Sequence, residues 1–137
     1  MKTILCAVDE SPGAAEAVAV ASGLSNDLGL RLVLAHVVRR THGVGVGGVQ
    51  AQRQGGERLL ERVARKHGLE SGVDRRVELG DRASELSRIA GEEAAVVIVV
   101  GSRSRYRRRR SLMSRLSAEL GSTAPCPIVV VPPRPRR

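Results

Sequence analysis

The chain of 137 residues contains no Trp, no Phe and a single Tyr, Tyr106. That shortage argues against modules that read RNA or single strands by stacking bases on aromatic platforms. Cysteine is nearly as scarce. Cys6 and Cys126 both lie in apolar settings and are too few for the disulfide scaffold of a small secreted domain. No apolar run approaches the roughly 18 residues that a membrane-spanning helix needs. Met1 to Cys6 leads straight into a short, polar-flanked apolar run rather than a signal-peptide core, so the expected location is the cytoplasm. Lysine is rare as well: 21 basic residues are Arg and only Lys2 and Lys66 are Lys, a skew that partly reflects base composition.

Acidic residues are missing from one region in particular. Residues 1–100 hold 13 basic and 13 acidic side chains, whereas residues 101–137 hold ten Arg and one acid, Glu119. The whole net charge of +9 therefore lies in the last quarter, which is where an anionic partner should be met.

What is present is ordinary for one globular domain: 42% hydrophobic and 27% charged residues. A chain of this length buries roughly two thirds of its unfolded surface and needs no staple. Thr3 to Val8 reads as a strand buried on both faces. Ser11 and Pro12 then look like the N-cap and first position of a helix that runs through Ala14, Ala17, Val18, Ala21, Leu24 and Leu28 to Gly29. Arg31 to Val38 is a second strand, and Arg39 to Gly48, with its glycines, a flexible loop. A second helix covers about 50–67, with Leu59, Leu60, Val63, Ala64 and His67 on one stripe, and Gly68 closes it. Gly72 to Leu79 is a weaker strand. Gly80-Asp81 caps a third helix with Leu86, Ile89 and Ala90 inward. Ala94 to Val100 is the most apolar strand, ending in Gly101; a fourth helix spans about Ser111 to Leu120, and Pro127 to Val131 is a last strand. Residues 1–132 make the domain, and Pro133 to Arg137 an extended tail that cannot pair.

Continuous Val/Ile/Leu strands alternating with amphipathic helices predict a parallel sheet covered on both faces, a doubly wound α/β fold. Ligands of such sheets bind beyond the carboxyl ends of the strands, where the winding reverses. Two strand ends qualify. Asp9 leaves the first strand where its carboxylate can accept from a ribose or base edge, or, alternatively, where Asp9 and Ser11 simply cap the next helix. Gly101-Ser102-Arg103-Ser104 is a small-residue loop that can present N–H groups to a phosphate, although most such turns bind nothing.

With VDES after the first strand, HVV ending the second, GD before the third helix, and VVGSRS…SRLSAEL…APCPIVVV near the C-terminus, nearly the whole chain resembles the universal stress protein family. The resemblance implies a single Rossmann-like domain, with a five-stranded parallel sheet of order 3-2-1-4-5. The first and fourth strands are then neighbours, and Asp9 and Gly101 flank one crevice. Many members bind ATP, with Mg only as its companion, through the pattern G-x2-G-x9-G-S/T. Gly101 matches its first position, while Ser104, Ser114 and Arg115 stand at the other three. Asp9 matches the acidic residue near the ribose, and Val37 the position whose backbone meets the adenine. The nucleotide-contacting set so implied is Ala7, Val8, Asp9, Val37, Val100, Gly101, Arg103, Ser104, Ser114, Arg115 and Leu116. A non-Gly residue forced into a left-handed conformation costs about 1–2 kcal/mol, so the serines alter the phosphate site, while Arg115 can offer a guanidinium fork there.

Arg103, Arg105, Arg107, Arg108, Arg109 and Arg110 surround Tyr106 in the loop expected over the crevice. They read either as a clamp for an acidic protein or polyanion, or as a solvated basic loop; one aromatic gives no basis for sequence-specific nucleic-acid recognition. His36 reads as a packed core residue, and His67 as a helix-end residue whose cation suits the dipole. No metal-ligand spacing is visible, Cys6 and Cys126 fall too far apart to pair, and no nucleophile–base–orienter set is present. The expectation is a binding module, at most a weak ATPase. Ile128, Val129, Val130 and Val131 form a wholly apolar edge strand, which predicts a twofold homodimer with the last strands antiparallel. Two functions stay open: a nucleotide-binding module, or a nucleotide-free interaction protein that docks through its Arg-rich loop.

Overall fold

A computed structural model of the chain describes residues 2–11, 13–39, 45–102 and 115–134. The elements are β1 (Thr3–Ala7), α1 (Ala14–Leu28), β2 (Arg31–Val38), α2 (Val46–Lys66), β3 (Val73–Leu79), α3 (Arg82–Glu92), β4 (Ala95–Gly101), α4 (Arg115–Thr123) and β5 (Ile128–Val131). The five strands pair in the order β3-β2-β1-β4-β5, all parallel. This is the sheet order implied above.

The core lies in two layers because both faces of the central strands are covered. Ile4, Cys6, Leu32, Leu34 and Val99 pack under Ala17, Val18 and Ala21 of α1 and Leu60 and Ala64 of α2. Leu5, Val33, Ala35, Ile98 and Val100 pack on the other face under Leu86, Ile89 and Ala90 of α3 and Leu120 of α4. Cys6 belongs to the first layer and Cys126 packs against the second, so the sheet separates two free thiols. Burial, reinforced by the charge of Asp9, pushes the Cys6 thiol up to about 12.

β3 reads weakly in sequence for a physical reason. Its register sets Asp74, Arg76 and Glu78 beside Val33, Ala35 and Val37 on the α3 face. There the Arg76 guanidinium lies 2.8–3.1 Å from Glu78, Glu92 and Glu93. Ion pairs stand in for apolar contacts along this edge of the sheet.

Three boundaries differ from expectation. α1 begins after Gly13, and Ser11 is not its cap: the Ser11 N–H donates back to Asp9 Oδ1 at 2.8 Å, closing a local turn that ends the strand. Pro12 lies outside the described residues. α2 begins at Val46 and runs through the Gly47-Gly48 pair assigned above to a loop. Once the turns around Leu59, Leu60 and Ala64 are docked, each further residue adds a backbone hydrogen bond, and packing overrides the weak propensity of glycine. α4 continues to Thr123, whose hydroxyl donates to the Glu119 carbonyl and sits 3.1 Å from the Ser87 hydroxyl; residues 111–114 lie outside the described ones.

Candidate functional site

A cleft of about 570 Å³ opens beyond the carboxyl ends of β1 and β2, lined by Asp9, Glu10, Ser11, His36, Val37, Val38, Arg39 and Arg82. Asp9 is its best-held polar group. The Arg82 guanidinium donates to Oδ2 at 2.8 Å while Oδ1 takes the Ser11 N–H, and the side chains of Arg82 and Asp9 are only 16% and 20% exposed. Both oxygens of the carboxylate are thus oriented from within the protein. Arg82 is the first residue of α3, directly after its N-cap Asp81. A cation there opposes the helix dipole, and the ion pair with Asp9 offsets that cost. Asp81 itself accepts the Ser84 N–H at 3.0 Å; hydrogen bonds from Ser84, then the charges of Arg39 and Arg115, hold its carboxyl below the ordinary carboxylate range.

Val37 offers its backbone rather than its side chain. Ala35 turns its carbonyl toward β1, where it accepts from the Val8 N–H at 2.8 Å, and Val38 turns its carbonyl toward β3, where it accepts from Gly80 at 2.9 Å. Strand backbone groups alternate in direction, so the N–H and carbonyl of Val37 face the β1 side. β1 has already ended at Ala7, so they look past the strand end into the cleft.

The remaining expected contacts divide. Ala7 ends β1, and Val8 is buried in the core with its carbonyl held by His36. Val100 packs in the α3 face of the core. Gly101 lies flat against the start of α1: a Cβ there would stand 2.6 Å from the Gly13 carbonyl oxygen, and a Cβ on Gly13 would stand 2.5 Å from that of Ser102. Close packing therefore accounts for glycine at 101 without any phosphate. Arg115 is 89% exposed, 3.8 Å from Glu119, and with Leu116 lines a smaller cavity of about 120 Å³ beside α3 rather than the cleft itself. Arg39 and Arg82 border both cavities. Arg103, Ser104, Ser114 and the run Arg105 to Arg110 lie outside the described residues.

Apart from Asp9 and Val37, the residues that line the cleft escaped the sequence reading as site residues, Arg82, Arg39 and His36 among them. Arg82 reaches Asp9 across 73 positions of chain, and its only local signal is a cation in the first turn of a helix. Arg39 was assigned to a loop. His36, read as core, is half-buried and lines the cleft. His67 also differs: burial, then the neighbouring Lys66, shifts it toward the neutral form. Among the described residues no cluster of His, Cys, Asp or Glu is suited to a metal ion, and no helix is long and apolar enough to cross a membrane.

Comparison with known proteins agrees with this architecture. A search of curated protein sequences finds no match. Among solved structures, a protein of the universal stress protein family from Burkholderia pseudomallei is 30% identical, with a TM-score of 0.72 and 96% of each chain covered. A universal stress protein from Archaeoglobus fulgidus in complex with dAMP is 16% identical with a TM-score of 0.69, covering 96% of this chain and 98% of the other. A further universal stress protein, in complex with cAMP, is 16% identical with a TM-score of 0.66, covering 97% and 98%. The family model described as "Universal stress protein family" matches residues 1–132, and the chain belongs to that family.

Proposed function

We propose that this chain is a non-enzymatic nucleotide-binding module that takes an adenine nucleotide, ATP among them, in the cleft beyond β1 and β2. One observation carries the reading: a half-buried carboxylate, Asp9, and the outward backbone pair of Val37 share one cleft of suitable size. The carboxylate accepts from ribose hydroxyls, and the Val37 N–H and carbonyl offer a donor and an acceptor to the edge of a base. Family neighbours in complex with dAMP and with cAMP support the ligand class. Mg²⁺ enters only with the phosphates.

Titration calorimetry of nucleic-acid-free protein tests this. Heat that requires the adenosine moiety and persists at raised salt is the expected result. Heat that inorganic triphosphate alone reproduces, and that salt removes, would overturn it. That outcome would favour the second reading, docking of an acidic protein or polyanion by Arg105, Arg107, Arg108, Arg109 and Arg110, which rests on the concentration of the +9 charge after residue 100.

The module is proposed to act as a homodimer through β5. The two sheet edges differ: β3 carries Asp74, Arg75, Arg76 and Glu78, a charged edge of the kind that resists pairing, whereas β5 is Ile-Val-Val-Val. The carbonyls of Pro127 and Val131 accept from Ile98 and Ser102 of the β4 side, so by alternation the backbone groups of Ile128 and Val130 face outward. Val130→Pro therefore removes an outward N–H without touching the β4 ladder. Sedimentation should find this variant monomeric but folded at concentrations where the parent is dimeric. A monomeric parent, or a dimeric variant, excludes pairing along β5.

A further inference from the structure

His36 is a cleft side chain to which the nucleotide reading gives no task. Its Nδ1 lies 2.7 Å from the Val8 carbonyl oxygen. A carbonyl only accepts, so Nδ1 carries the proton, and the lone pair of the neutral ring is at Nε2. The Cδ2 corner lies close to Gly56 of α2, 3.1 Å from where a Cβ on that glycine would stand. With one nitrogen held by Val8 and one carbon against α2, the Cε1–Nε2 edge is the one left to line the cleft. Among the described residues Nε2 makes no hydrogen bond. The next residue along β2 is Val37, whose backbone pair looks into the same space.

We infer that His36 Nε2 is a base-reading acceptor, selecting a ligand with an exocyclic amine beside the position Val37 addresses and rejecting one with a ring carbonyl there. The inference rests on the adenine-nucleotide reading and deepens it. Two donors sit on the amino nitrogen of adenine. The Val37 carbonyl can take one and His36 Nε2 the other, while the Val37 N–H meets a ring nitrogen. A 6-oxo purine turns an oxygen toward Nε2, lone pair against lone pair, and leaves the histidine without a donor.

AMP and IMP share the same ribose phosphate and differ at the exocyclic group and at N1, where IMP carries a proton that opposes the Val37 N–H. Val37 therefore favours AMP by itself, and the share of His36 is read from how far its removal narrows the preference. Calorimetry should find AMP bound more tightly than IMP, and His36→Phe should narrow that ratio by about tenfold, the scale of one hydrogen bond in a half-open site. Because that substitution can disturb packing against Gly56, His36→Gln is the companion variant: its amide oxygen can accept from the same amine, and it should keep most of the parent ratio. A ratio that His36→Phe leaves unchanged, or that His36→Gln lowers as far as His36→Phe does, overturns the role of His36 while leaving nucleotide binding intact. Absence of AMP binding by the unmutated protein overturns both.

Discussion

Gly101→Ala is expected to lower the stability of the domain by about 3 kcal/mol, the upper end of typical overpacking costs. For a domain of this size that corresponds to a fall in Tm of roughly 10 °C. The added Cβ would sit 2.6 Å from the oxygen, 2.7 Å from the carbon of the Gly13 carbonyl and 3.2 Å from the Ala14 nitrogen. All three are backbone atoms, so no side chain can rotate away. Nor can β4 retreat easily, because Gly101 is in register with Val131 and the Ser102 N–H donates to the Val131 carbonyl at 2.7 Å. The start of α1 must move instead, loosening Ala14, Ala17, Val18 and Ala21 from the sheet. Gly13→Ala should cost a similar amount through the same contact, and the two losses should not add. Gly23→Ala, on α1 with no atom within 4 Å of the new methyl, is the control. It should stabilise by up to about 1 kcal/mol through helix propensity. Thermal melts followed by circular dichroism decide the matter. They also settle how a binding defect in Gly101→Ala is to be read. A variant that melts with the parent but loses nucleotide would make Gly101 a phosphate-loop glycine; a variant that melts early would make it a packing glycine.

That ambiguity follows from what a one-dimensional pattern contains. The sheet was legible because Ile4 to Val8, Leu32 to Ala35 and Val96 to Val100 are apolar without alternation, as strands of a sheet covered on both faces require. The helix stripes were legible through Leu59, Leu60 and Ala64 and through Leu86, Ile89 and Ala90, all buried as expected. Asp9 and Val37 were legible as strand-end positions, one through its charge and one through family resemblance, and both line the cleft. Contacts between distant parts of the chain were not. The Gly13–Gly101 contact and the Asp9–Arg82 pair join residues that no local spacing relates. The start of α2 was missed for the converse reason: Gly47 and Gly48 read locally as a loop, and only the packing further along the helix carries it back to Val46. His36 looked like core because it lies on a strand between buried neighbours. Its position near the end of that strand, one residue after β1 has stopped covering it, is what opens it to the cleft.

Asp9→Ala should weaken binding of an adenine nucleotide by about a hundredfold, the scale of a lost charge-assisted hydrogen bond and the disorder that follows it. Two effects combine. The ribose loses its acceptor, and the Arg82 guanidinium and the Ser11 N–H lose the carboxylate that now receives them. The second effect also acts without ligand, and at this partial burial it should cost about 1–2 kcal/mol of stability, between the values for exposed and buried pairs. Asp9→Asn separates the two. Its side-chain oxygen can still accept from Ser11, so the strand end keeps its turn, while the charge that faces Arg82 is gone. Arg82→Gln approaches the same pair from the α3 side and leaves the Asp9 carboxylate in the cleft. If Arg82 acts by orienting Asp9, Arg82→Gln should weaken adenosine and AMP by the same modest factor, about tenfold or less. If instead its guanidinium meets the phosphate, the loss should be confined to AMP. The double variant Asp9→Asn with Arg82→Gln completes a cycle, and a stability coupling of about 1 kcal/mol is expected from residues in direct contact. An additive cycle, together with unaltered nucleotide binding in Asp9→Ala, would remove Asp9 from the site and leave the ion pair as a strap between β1 and α3.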